Sequence, residues 1–318
     1  MKIGYFLSCE EFGPAELLRQ ARMAEGAGFE SLWISDHYHP WNDEQGESAF
    51  VWSMIGALSQ VTERIPVTTA VTCPTVRTHP AVIAQAAATS AALLPGRFRF
   101  GVGTGEALNE HILGDHWPSA DVRLEMLEEA IAVIRELWTG RQVEYDGTHY
   151  LVENARIYTL PDELPPILVS GFGPKAVELA ARIGDGYVLV GPEAENVQRF
   201  RSSGGGDKLV QSGTKVCWGA DEAECVRTVH RLWPNEVLPG ELPQVLPTPA
   251  HFEQACSLVT EEMIAETVVC GPDMERHVAE LQAFADAGID EVHVQQIGGD
   301  HEGFFAAYAE HVLPRFAD

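Results

Sequence analysis

The chain has 318 residues, 45% hydrophobic and 21% charged, the composition of an ordinary globular protein, and no apolar run approaches the ~18 residues of a membrane helix. Its 47 acidic residues outweigh 21 basic ones, a formal charge of −26, and such a surface repels nucleic acid and anionic membranes. Six scattered cysteines without a CxxC pair argue against a zinc ribbon or a disulfide framework.

The chain opens directly on a short apolar strand, Lys2–Leu7, without the pattern of a signal peptide, so a cytoplasmic protein is the expectation. Helical spacing of Leu17, Leu18, Ala21 and Ala24 follows, with Pro14 in the first turn. Three further strand–helix units read as Ser31–Ser35 with Phe50–Leu58, Pro66–Thr72 with Pro80–Leu94, and Arg97–Gly103 with Val122–Trp138. A small hairpin is predicted within 142–152, turned at Asp146-Gly147. Strands Ile167–Ser170 and Tyr187–Val190 then flank a helix from Pro174 to Ile183. Thr214–Trp218 is the seventh strand, Val292–Gln296 the eighth, and Gly303–Phe316 the closing helix. Eight parallel strands alternating with helices point to an α/β fold closed as a (β/α)8 TIM barrel, and a bare barrel needs about 250 residues. The excess falls near 106–120, 141–152 and 234–262, read as insertions at the C-terminal mouth of a single domain spanning 1–318. The SSGGG run at 202–206 reads as a mobile loop rather than a phosphate cradle.

Working residues of a barrel lie at the C-terminal ends of its strands. Three polar clusters fall there: SDHYHPW at 35–41, GTGEALNE at 103–110, and Ser170-Gly171-Phe172-Gly173-Pro174. His37 carries an imidazole, the side chain suited to a general base; it also reads as a loop histidine bonded to backbone, or with His39 as half of a metal pair that lacks further ligands at metal spacing. Glu106 reads as an acid with a raised pKa in a partly closed mouth, or as a plain carboxylate at a helix N-terminus. The Ser170–Pro174 turn has the form in which backbone amides face a phosphate, and equally that of an ordinary strand–helix turn. Trp41 suits a core or lid position, or stacking on a flat ring.

Together these residues resemble the luciferase-like superfamily of flavin and deazaflavin barrels. Within it, the chain is similar to the branch of coenzyme F420-dependent glucose-6-phosphate dehydrogenases. The resemblance runs from KIGYFLSCEEF through SDHYHPW, TCPTVRTHPAVIAQA and GVGTGEALNE to ARIGDGY. It implies His37 as the base for a substrate hydroxyl, Glu106 facing the deazaflavin's central ring, Trp41 steadying the intermediate, and Glu10 orienting substrate or His37. For the cofactor it implies Asp36 against the ring system and a non-proline cis peptide at Ala70–Val71 behind it. Cys73, Gly105 and Asn109 would line it, and the turn Ser170, Gly171, Phe172, Gly173 would receive its phosphate. No metal is implied. The expected partners are F420 and a small-molecule substrate, with no nucleic acid or membrane, in a homodimer.

The basic residues that hold a substrate phosphate in that branch are replaced here, by alignment, with Pro192 and Glu266, and Gly299–Gly303 lacks a basic pair. Lysine occurs only at Lys2, Lys175, Lys208 and Lys215. Desolvating a phosphate dianion without paired cations is expensive, so an unphosphorylated hydroxyl substrate is the expectation unless Lys208 or Arg201 reaches the mouth. The alternatives are a glucose-6-phosphate dehydrogenase proper, or an FMN-dependent monooxygenase of the same superfamily.

Overall fold

A computed structural model describes residues 1–317. In chain order it contains β1 (Lys2–Leu7), α1 (Pro14–Ala27), β2 (Leu32–Ile34), α2 (Val51–Leu58), β3 (Val67–Thr69), α3 (Pro80–Leu93), β4 (Phe98–Val102), the single turn α4 (Ala107–Glu110) and α5 (Ala120–Leu137). A hairpin, β5 (Val143–Asp146) and β6 (Leu151–Ala155), precedes β7 (Ile167–Ser170), α6 (Pro174–Ile183), β8 (Gly186–Val188), α7 (Ala194–Phe200), β9 (Leu209–Cys217) and α8 (Glu222–Leu232). The short helices α9 (Leu242–Val245), α10 (Pro249–Ala255) and α11 (Glu261–Thr267) lead to β10 (Val269–Cys270), α12 (Met274–Asp286), β11 (Glu291–Gln296) and α13 (His301–Ala307).

Strands β1, β2, β3, β4, β7, β8, β9 and β11 pair in that order, all parallel, and β11 returns to β1, so the sheet closes as a (β/α)8 barrel. The last residues of β9 pair with β10 on the side that β8 occupies earlier.

Outward strand residues such as Tyr5, Leu7, Phe100 and Val292 are fully buried beneath the helices. Each contributes roughly 1.5–3 kcal/mol on burial, so helix cover rather than ladder length holds the three-residue strands β2 and β3. Pro14 starts α1, and Gly28 ends it at φ 99°, in the left-handed region that favours glycine.

The barrel interior is polar at its lower end. Trp33 stacks on His293 at 4.4 Å and donates to Gln211, which donates in turn to Glu291. Arg99 closes the set at 2.6 Å from Glu291. Burial alone would raise the Glu291 carboxyl, but Arg99 and Gln211 hold it below the usual range, while burial pushes His293 down to about 3. This plug leaves the opposite, C-terminal end for chemistry.

Several expectations need correction. The seventh strand begins at Leu209, not Thr214, because its first half turns polar Gln211 and side-chain-free Gly213 into the barrel. The third strand stops at Thr69, and the closing helix breaks after Ala307 into tighter and wider turns. The SSGGG run is no loop: residues 201–205 form a wide helical turn with Gly205 buried. Arg201 bonds Asp290 and the Gly288 carbonyl, and Lys208 bonds the Ala181 carbonyl, at the end opposite the mouth. Neither cation reaches the site.

Candidate active site

Loops after β1, β2, β3 and β4 converge at the mouth. His37 lies past β2 with its side chain 10% exposed, between two carboxylates: its Nε2 is 3.3 Å from Glu10 Oε1 and 3.5 Å from Glu106 Oε2. Its Nδ1 lies 3.2 Å from the His39 carbonyl, which only accepts, so Nδ1 carries the proton and Nε2 holds the free lone pair in the neutral ring. A base at Nε2 that takes a proton becomes an imidazolium flanked by two carboxylates, which favours the charged product.

Each partner is held from behind. Glu10 Oε2 accepts from Ser8 and Ser35 hydroxyls at 2.8 and 2.7 Å. Asn109 donates to Glu106 at 3.1 Å, and its carbonyl oxygen accepts from the backbone N–H groups of Tyr38 and His39. One buried amide therefore sets both the histidine loop and the glutamate. Burial raises the Glu106 carboxyl above its ordinary range, with Glu10 adding to this and His37 opposing it; 31% of its side chain still opens to the mouth. Trp41 leans on His37 at 4.9 Å and 54°, and packs edge-on against Phe252 behind it.

Asp36 points away from this group into a buried network. Its oxygens accept from Thr72 at 2.7 Å and from Arg77 at 2.8 Å, and Arg77 also faces Glu110 at 3.5 Å. Burial carries Glu110 up to about 7 against the pull of Arg77. Neither Arg77 nor Glu110 was assigned a role from sequence. Arg77 is the single cation of the TCPTVRTHP segment, the signal by which a partner for buried Asp36 was legible.

The Ala70–Val71 peptide is cis. Gly105 sits at φ 75°, and a Cβ there would lie 2.6 Å from Cys73 Sγ, so the chain approaches itself too closely for any side chain. Cys73 is buried against Thr75, and burial raises its thiol well above the ordinary range, keeping it neutral. After β7, Ser170 is half-buried and Gly171 buried; a Cβ on Gly171 would meet Ala176 at 2.7 Å. Phe172 and Gly173 are exposed, and Gly173 caps α6 without a side-chain bond, leaving free N–H groups at a helix N-terminus. Lys175 turns away to Asp121 at 2.8 Å. Among the described residues no three His, Cys, Asp or Glu side chains gather as a metal set, and no helix is long and apolar enough to cross a membrane.

Residues 1–291 match the family model described as luciferase-like monooxygenase. The chain is 36% identical over 327 aligned positions to an F420-dependent glucose-6-phosphate dehydrogenase of Microbacterium testaceum, covering 99% of this chain and 97% of that protein. A namesake from Mycobacterium avium is 33% identical, covering 99% and 98%. Among solved structures, an F420-dependent secondary alcohol dehydrogenase in complex with an F420-acetone adduct superposes with a TM-score of 0.92, at 32% identity, covering 100% of this chain and 99% of that one.

Proposed function

The chain belongs to the luciferase-like monooxygenase family, and from that premise we propose that it is an F420-dependent dehydrogenase oxidising a hydroxyl-bearing, unphosphorylated carbon. The observation that carries the reading is His37, its Nε2 held between Glu10 and Glu106 and Trp41 against its ring. Similarity to the named F420-dependent dehydrogenases supports the cofactor and the CH–OH donor.

The residues present fit a deazaflavin. Part-buried Ala70 and Val71 offer an apolar wall on which a flat ring would lie, and Gly105 keeps the neighbouring loop tight against Cys73. The uncapped N-terminus of α6 at Gly171–Gly173 suits the cofactor's phosphate. When bound, F420 supplies a two-electron hydride acceptor. The protein's own residues do the rest. His37 Nε2 takes the hydroxyl proton; Glu10 and Glu106 stabilise the resulting imidazolium; Trp41 covers the reacting carbon and excludes water. Asp36 acts through the Arg77 network, which ties three loops together around the cofactor wall.

The missing phosphate grip supports an unphosphorylated substrate. Pro192 and Glu266 stand where the resemblance expects cations, and Arg201 and Lys208 are committed at the far end of the barrel. We assign the whole chain to one barrel domain acting in the cytoplasm as a homodimer. Replacing the base tests the reading: His37→Ala should lower F420 reduction about 10²–10⁴-fold while the cofactor still binds. Unchanged turnover would remove His37 from the mechanism.

A further inference from the structure

Strand β9 alternates strictly. Gln211 points inward to Trp33 and Glu291, and a Cβ on Gly213 would meet the Trp33 ring at 2.5 Å. Lys215, two residues on, therefore enters the barrel at its mouth. Its Nζ lies 2.9 Å from Glu236 Oε1 and 4.7 Å over the Trp233 ring, with the two side chains 15% and 21% exposed. Trp233 donates to Glu11 at 2.6 Å, and Glu11 adjoins Glu10, the partner of His37. Across the ladder, Lys215 pairs with Gln295, whose buried amide lies beside Glu11 with bonding capacity to spare. The remaining lysines are spent elsewhere: Lys175 on Asp121, Lys208 on Ala181, and Lys2 beside Glu291 at the lower end.

We propose that Lys215 and Glu236 are the substrate-recognition pair of this mouth, and that they select a neutral polyhydroxylated substrate over an anionic one. The inference rests on the dehydrogenase reading above and names the substrate class. An ammonium keeps two N–H donors after bonding one carboxylate, and the carboxylate keeps acceptor capacity beside it. That side-by-side donor and acceptor matches a hydroxyl, which both gives and takes a hydrogen bond. A phosphate or carboxylate ligand would gain from Lys215 but be repelled by Glu236 within the same site, so Glu236 discriminates by like charge. Gln295 supplies a further donor and acceptor beneath the pair.

The test uses the F420-loaded protein and its Lys215→Met and Glu236→Gln variants with 2-propanol, glycerol, glucose, lactate and glucose 6-phosphate. Fluorescence quenching of F420 verifies that each variant holds the cofactor. Lys215→Met should lower the ratio of kcat/KM for glycerol or glucose over that for 2-propanol about tenfold, through KM more than kcat. Glu236→Gln should raise kcat/KM for lactate and glucose 6-phosphate about tenfold, and titration calorimetry with glucose 6-phosphate should show the same gain in affinity. Lys215→Gln, which removes the charge but keeps a polar side chain, serves with the same expected fall if the methionine variant does not fold. An unmoved substrate ratio in Lys215→Met, or no anion gain in Glu236→Gln, overturns this inference alone. Failure of the unmodified protein to reduce F420 with any of the five overturns the dehydrogenase reading, and this inference with it.

Discussion

His37 has two acidic neighbours, and they are not equivalent. Glu10 is sealed in and accepts from two serine hydroxyls. Glu106 has one amide donor and an opening to the mouth, and burial raises its carboxyl above the ordinary range. On the proposed reading, Glu10 stays fixed by its hydroxyl donors, while Glu106 is the member of the pair placed to hold or release a proton. Its ionisation sets in at higher pH than an ordinary glutamate's. In Glu106→Gln, kcat should fall about 100-fold, and the limb of the pH–rate profile belonging to this carboxyl should vanish. A variant that keeps the wild-type profile would place the titration on another group. Asn109 shows how the geometry is kept: its carbonyl bonds the backbone of Tyr38 and His39 while its amide holds Glu106.

At the scale of elements, the mouth is assembled by loops that bury charge. Glu11 is the clearest case, joining the loop after β1 to Trp233, at the end of α8, and to the Gly298 N–H beyond β11. Burial raises its carboxyl from 4.5 to about 7, although both hydrogen bonds pull it down. A carboxyl whose folded pKa is raised binds its proton more tightly in the folded state. Its contribution to stability is thus fully present below about pH 4.5, declines above that, and is lost as pH rises through about 7. Urea melts between pH 4.5 and 8 should show this decline in the wild type and a flatter dependence in Glu11→Gln. Parallel curves for the two proteins would exclude Glu11 as the source.

The packing of these elements explains which of them the sequence declares. Strands β1, β4 and β7 and helices α1, α3 and α5 carry apolar stripes of the right period, because one face packs between sheet and helix layer. The start of β9 was hidden because the barrel interior there is polar. Helices α7 and α8 were hidden because narrow stripes, Val197 with Phe200 and Cys225 with Val226, Val229 and Leu232, lie within strongly charged sequence. The grouping of His37 and Glu106 followed from strand ends, and Trp41 and Glu10 joined them through the family resemblance, whereas Arg77 between Asp36 and Glu110 and Lys215 against Glu236 are long-range pairings that no local spacing encodes.

For the whole molecule, the acidic surface carries an apolar stretch on α2 and α3. Phe50, Val82 and Leu93 are exposed around a groove of about 330 Å³ that also takes in Trp52 and Ile83. An apolar patch of this kind on a chain of charge −26 suits an interface, and the proposed homodimer would cover it with the same patch of a second copy. Sedimentation should give a dimer for the wild type and a monomer for Val82→Glu; a monomeric wild type would leave the patch unexplained.

The barrel brings His37 and the Lys215–Glu236 pair into one mouth while consigning Arg201 and Lys208 to its opposite end. The most direct test of that arrangement is to follow the visible absorption band of oxidised F420 while alcohols, free sugars and sugar phosphates are added in turn. Bleaching by an unphosphorylated alcohol or sugar, lost in His37→Ala, is the predicted result. Preferential bleaching by a sugar phosphate, or NADH consumption with FMN and oxygen in place of any bleaching, would contradict it.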